Sequence, residues 1–335
     1  MIIRVRGNEL KAPFKKFLKK QNILCNFKIQ DNILHVQLLD VYTVNFDCGI
    51  NSIDKYDEFN EVTISIDKSI LLLDNTDVEI TIVGELVQIR QSAMCITSKA
   101  EYEPRRSFGE QTFERIDGAQ LKLLVSNLIA CEALQKELGL SSTEVVFHGG
   151  FVYTDYLTSM CIHAAPNMSC TMPLQILRGV LSDLTPSLMS FKDGVVCFKS
   201  EGFECYIPCG KISDEDRINV SIKGLINSMI PVCDISVKNH SQKLLLLSTV
   251  VKKSKLSFTV NEGHLCVSTM SPVMTLIVGD DVDERLLGID ITPAQLRVIA
   301  SVFAKDETIT VMKGGDHTIC LASTNVMLLL SGVIY

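Results

Sequence analysis

Apolar and polar residues alternate along this chain in a recurring order: a stretch of helical period, then three short stretches of period two. The clearest instance is the last. Residues 292–303 (TPAQLRVIASVF) place Leu296, Ile299, Val302 and Phe303 on one face behind a Thr-Pro start, which predicts a helix. Residues 307–312, 317–322 and 326–334 then read as strands, broken by Lys313-Gly314-Gly315-Asp316 and Ser323-Thr324-Asn325.

The same order recurs upstream. Residues 172–184 carry Leu174, Leu177, Leu181 and Leu184 at helical spacing, before strands at 187–192, 195–200 and 203–208 with Asp193-Gly194 as a hairpin turn. A longer helix at 118–138 precedes strands at 144–148, 151–155 and 157–165. The first hundred residues hold two further units: a helix at 8–21 with strands at 26–30, 33–38 and 41–47, and a short helix at 67–73 with strands at 77–83, 86–91 and 93–99. In the remaining unit a helix at 220–230 is expected ahead of strands at 255–260, 264–269 and 273–278, leaving 231–254 as an insertion.

Six such units in 335 residues average about 56 each, too short to stand alone as domains. Two per domain gives three domains, 1–103, 112–211 and 217–335, joined by polar stretches that read as exposed linkers at 102–112 and 209–216. The expected fold class is α+β, three similar domains of antiparallel sheet with helices on one face.

Composition narrows the function. With 47% hydrophobic and 21% charged residues the chain is not disordered. Its longest apolar stretches, 244–251 and 326–335, are shorter than the roughly 18 to 20 residues that cross a bilayer. The N-terminus carries charges where a secretory signal needs its apolar core, so a cytoplasmic protein is expected. Twelve scattered cysteines without a C-x-x-C pair read as small buried hydrophobes, and no metal site or cofactor is expected. Neither a Gly-rich phosphate loop nor G-x-S-x-G nor H-E-x-x-H occurs, and most of the six histidines sit in or beside predicted strands and turns, so no catalytic residue and no enzyme activity are expected.

Charge points elsewhere. The first helix puts Leu10, Phe14, Phe17 and Leu18 on one side and Lys11, Lys15, Lys16, Lys19 and Lys20 around the other. Over the six expected helices the net charge is +6 in a chain of −7, leaving −13 for the rest. Positive helices and negative sheets suit a surface that holds a phosphate backbone without reading bases. The same pattern also fits a merely solvated amphipathic helix, or one lying on an anionic membrane.

Three tandem domains of two units each resemble the DNA polymerase sliding clamps of bacteria and their phages, the beta clamps. Locally, residues 6–14 (RGNELKAPF) are similar to that family's opening helix with its Leu-Lys-x-Pro-hydrophobic pattern, Tyr153-Thr154-Asp155 to its Ala-Thr-Asp turn, and 289–335 to its closing unit. The resemblance implies a head-to-tail homodimeric ring with helices lining a hole around double-stranded DNA, a processivity factor that tethers the replicative polymerase. Lys11, Lys15, Lys19, Lys20, Lys122, Arg178, Lys223 and Arg297 would then face the phosphates. The polymerase and the clamp loader would bind through short linear motifs in a pocket built from Thr154, Tyr156, Leu157, Leu329, Leu330, Val333, Ile334 and Tyr335. Here the chain departs from the family: Tyr156-Leu157-Thr158-Ser159 replaces Gly-His-Arg-Leu, and Ser331-Gly332-Val333-Ile334-Tyr335 replaces the Met-Pro-Met-Arg-Leu type of tail. The alternative from another class is a β-rich structural or assembly protein, such as a virion component.

Overall fold

The computed structural model describes all residues except 18–20, 55–60, 102, 138–143, 157–158, 165–167, 213–223, 225–226, 252–255, 271–272, 281, 283–288, 307, 316–317, 325 and 332–335. Every repeat has one strand more than its sequence pattern predicts, placed ahead of the helix. The first runs β1 (Ile2–Arg6), α1 (Gly7–Phe17), β2 (Asn22–Gln30), β3 (Ile33–Leu39) and β4 (Thr43–Asp54). The second is β5 (Glu61–Asp67), a short 3-10 helix (Lys68–Leu72), β6 (Asp77–Val83), β7 (Leu86–Gln91) and β8 (Met94–Glu101). Then follow β9 (Glu114–Arg115), α2 (Gly118–Glu137), β10 (Glu144–His148), β11 (Phe151–Tyr156) and β12 (Ser159–Ala164). The fourth is β13 (Cys170–Pro173), α3 (Leu174–Asp183), β14 (Leu188–Lys192), β15 (Val195–Ser200) and β16 (Phe203–Pro208). The fifth is β17 (Ile230–Ile235), α4 (Val237–Val250), β18 (Leu256–Asn261), β19 (His264–Met270) and β20 (Val273–Gly279). The sixth is β21 (Ile289–Ile291), α5 (Pro293–Val302), β22 (Ile309–Lys313), β23 (Thr318–Ala322) and β24 (Val326–Ser331).

The fifth repeat holds a helix that the sequence reading missed. Of the helix expected at 220–230, residues 224, 227 and 228 are helical and 220–223 and 225–226 lie outside the described residues; a further helix, α4, lies inside the stretch expected to be an insertion. Four consecutive leucines hide the helical period: Leu244 and Leu247 are buried with Val237, while Leu245 and Leu246 face solvent. Pro13 lies in the second turn of α1 and is buried with Leu10, Phe14 and Phe17.

The lead strands are exchanged between neighbouring repeats. β1 pairs with β6 and β5 with β2, β9 with β14 and β13 with β10, β17 with β22 and β21 with β18, all antiparallel. Each lead strand thus donates its hydrogen bonds to the other repeat of its pair, so neither can complete its sheet alone. In the first pair β1 also bonds β4 and β5 bonds β8, which closes strands β1 to β8 into a circuit. Arg4 on β1 locks this closure, with Nη1 2.7 Å from Asp54 Oδ2 on β4 and Nη2 3.2 Å from Glu79 Oε2 on β6.

The chain divides into two compact units, 1–119 with 176–209, and 120–175 with 210–335. Each is built on one twelve-stranded sheet. In the first unit the sheet continues through β4 paired with β16, and in the second through β12 paired with β24. α1 packs over the β4–β16 seam: Phe14 lies edge-on to Phe46 at 6.2 Å and Phe17 lies 6.1 Å from Phe203. Such aromatic contacts stabilise a junction beyond the area they bury.

The expected linker at 102–112 is irregular and mostly exposed from residue 103 onward, but it is pinned to the sheet beneath it. The Arg106 backbone N–H donates to Gln37 Oε1 at 2.7 Å and Gln37 Nε2 donates to the Arg106 carbonyl at 3.0 Å. Phe108 stacks on Tyr206 at 4.0 Å, and Lys192 Nζ donates to the Glu110 carbonyl at 2.8 Å. Tyr206 in turn donates to Glu204, which also accepts from Lys199. Burial pushes the Glu204 carboxyl up, and these two hydrogen bonds outweigh it, leaving the group below its ordinary value.

The turn from β1 into α1 is tight. A Cβ on Gly7 would press on the Asp74 carbonyl oxygen and meet Gln91 Nε2 at 2.8 Å and the Thr76 carbonyl oxygen at 3.0 Å. Gly7→Ala is therefore expected to cost about 1 to 3 kcal/mol through overpacking. Thermal unfolding checks this, and an unchanged midpoint would contradict so close an approach.

Candidate nucleic-acid interface

The helices carry the basic side chains, and the sequence-expected residues fall into three groups. Lys15 on α1, Arg178 on α3 and Arg297 on α5 are exposed, and Lys122 on α2 is partly so. Lys11 is engaged: its Nζ donates to the Leu73 carbonyl at 2.6 Å, at the end of the short 3-10 helix. There its charge meets a carbonyl at the end of the helix, a position that favours a cation. Lys19, Lys20 and Lys223 lie outside the described residues.

Two basic residues escaped the sequence analysis because α4 lies in the stretch read as an insertion. Lys238 and Lys243 are exposed on α4, which packs against α5 in the second unit. Lys16 was read as part of the basic stripe but covers the Phe203 ring at 4.7 Å, a cation–π contact beside the β4–β16 seam. Counted over the helices as folded, the net charge is again +6, against −7 for the chain. The segregation of charge therefore holds with α4 included. Its cause is local: α1 needs Leu10, Phe14 and Phe17 for packing, so its lysines occupy the opposite side.

α4 and α2 are not uniformly basic. Leu245, Leu246 and Val250 on α4 and Leu123 on α2 are exposed apolar residues among the polar ones. α5 has a firm start, with Thr292 Oγ1 accepting from the Gln295 backbone N–H at 3.1 Å and Gln295 Oε1 accepting from the Thr292 N–H at 2.8 Å. That capping box fixes where Arg297 emerges.

The residues expected to form a partner pocket are partly brought together. β11, β12 and β24 are consecutive strands, so Thr154 lies in register with Cys161 and Leu328, and Tyr156 with Ser159 and Leu330. Thr154 and Leu330 are both fully buried. Leu329 lies on the opposite face of β24 and is half-buried, as alternation along a strand requires. Leu157, Val333, Ile334 and Tyr335 lie outside the described residues.

Among the described residues no group of three or more His, Cys, Asp and Glu could hold a metal ion, and no helix is long and apolar enough to cross a membrane. Among the described residues eight cysteines are buried, and burial pushes Cys48, Cys197 and Cys320 each up to about 12. Cys95 on β8 is exposed and pulled below the ordinary thiol value by hydrogen bonds with Thr97 and Arg90.

No protein-family model matches the sequence, and no curated protein matches it. Solved structures do match in shape. The Helicobacter pylori beta clamp in complex with diflunisal superposes with a TM-score of 0.76 at 11% identity, over 100% of both chains. The DNA polymerase III subunit beta from Pseudomonas aeruginosa gives 0.75 at 10% identity, and the DNA polymerase III beta chain from Streptococcus pneumoniae 0.70 at 14%, each again over 100% of both chains. Over its whole length the chain therefore has the fold of the bacterial DNA polymerase III beta clamps, the sliding-clamp fold.

Proposed function

We propose that the protein is a DNA sliding clamp: two copies close head to tail into a ring around duplex DNA, and the ring tethers a polymerase to its template without chemistry of its own. In this reading the exchanged pairs of repeats are three domains, 1–103, 112–211 and 217–335, and the protein acts in the cytoplasm. The observation that carries it is what remains after the strands are paired. Four of the six repeats end in a strand bonded to the end strand of another repeat, β4 to β16 and β12 to β24. β8 and β20 are left over. Among the described residues the outer edge of β8 is unpaired along 94–99, and that of β20 along 273–278.

Two open antiparallel edges of equal length, one in each unit, suit a head-to-tail contact that closes on itself. Val273 and Ile277 on β20 are 85% and 50% exposed, an apolar face that invites cover. Lys15, Lys122, Arg178, Lys238, Lys243 and Arg297 would hold the phosphates, acting by counterion release. Partner motifs would bind beside β11 and β24, where Thr154, Tyr156, Leu157, Leu329, Leu330 and the tail Val333, Ile334 and Tyr335 belong in this reading. One of the structurally similar proteins, the Helicobacter pylori beta clamp, was solved bound to a DNA ligase peptide.

Cys95 reports closure directly. As protein concentration rises, its alkylation, followed by peptide mapping, is expected to slow several-fold as β8 gains a partner strand. A rate independent of concentration would contradict pairing at this edge.

Topology is tested on DNA. Protein incubated with linear duplex that is then ligated into circles is expected to co-elute with the circles and to be lost when they are cut. Lys15→Ala with Lys243→Ala should shorten retention several-fold and flatten its salt dependence, with no change in the unfolding midpoint. Equal retention on cut and closed DNA would contradict the ring.

A further inference from the structure

Independently of the ring, the polar side chains under the linker leave positive charge unmatched. A cavity of about 410 Å³ in the first unit is lined by Lys28, Asn45, Glu61, Arg105, Arg106 and Ser107, with the stacked Phe108 and Tyr206 as its wall. Three cations meet one carboxylate. That carboxylate is already engaged, since Glu61 Oε1 accepts from Asn26 Nδ2 at 2.8 Å and from the Arg105 backbone N–H at 3.1 Å.

Among the described residues the guanidinium groups donate to neutral acceptors. Arg105 Nη1 reaches Asn26 Oδ1 at 3.4 Å and the His35 carbonyl at 3.3 Å, both long for a charged donor. Arg106 Nη1 donates to the Asp40 carbonyl at 3.0 Å and to Thr43 Oγ1 at 3.2 Å. Lys28 stands opposite Glu61 and His35 in the sheet and makes no ion pair among the described residues. Arg105 is half-buried, and burial pulls its pKa down although Glu61 and Asp47 act on it through space, so this cation has given up water without a charged hydrogen-bond partner among the described residues.

We propose that this cavity is a binding site for a small phosphate-bearing molecule. A doubly charged group with several acceptor oxygens would engage Lys28 and the free N–H groups of Arg105 at once and replace their weak neutral contacts with short charge-assisted bonds. Ser107 and Asn45 add neutral polar groups at the rim. The backbone bonds of Arg106 to Gln37 hold the linker in place before any ligand arrives, so the site is preformed.

Inorganic pyrophosphate is the probe, titrated into the full-length protein by calorimetry at constant ionic strength, with a ten-nucleotide thymidine strand in parallel. Saturable pyrophosphate binding is expected, weakened about tenfold in Lys28→Gln, a substitution that breaks no hydrogen bond seen among the described residues. No saturable binding, equal affinity in Lys28→Gln, or binding of the strand without pyrophosphate would each overturn the proposal.

Discussion

A β-strand at the end of a repeat presents a row of unpaired backbone groups, and this chain must dispose of six such ends. It uses two devices. Lead strands are exchanged within each pair of repeats, so that β1 completes the sheet of β6 and β5 that of β2. End strands are then joined across longer distances in sequence, as in β4 with β16. The long twelve-stranded sheets follow from these pairings, and so do the positions of the helices. α1 lies over the β4–β16 seam because Phe14 and Phe17 need Phe46 and Phe203 beneath them. Once that face is committed, Lys15 has only solvent to face.

The same constraint gives the proposed function its physical content. Pairing accounts for four end strands and leaves β8 and β20 with open edges, one in each compact unit. A ring closed by strand pairing needs little affinity for DNA, because topology keeps it in place, and modest cationic helices are then enough. Exposed Leu245 and Leu246 on α4 fit that economy, since a sleeve that slides makes no tight contact along its whole length.

Much of the architecture was legible in the residues. The helices at 118–138, 172–184 and 292–303, and the strands that follow them, could be read from periodicity because one face of each is buried. The lead strands were not legible. β9, β13 and β21 have two, four and three residues, too few to show a period, and their partners are far away in sequence. α4 was hidden by its run of four leucines, and with it Lys238 and Lys243. The basic stripe of α1 could be read, but not that Lys11 is spent on the Leu73 carbonyl or Lys16 on Phe203, since both contacts depend on the tertiary fold. The cavity beneath Arg105 likewise needs β2, β4, β16 and the linker brought together, which spacing along the chain does not reveal.

Ring closure is the central claim, and imaging tests it most directly. Negative-stain electron microscopy of the purified protein at micromolar concentration, classified by projected shape, is expected to show six-lobed rings with an open centre. Compact particles without a hole, or extended sheets and tubes, would contradict closure and favour a structural role for the fold.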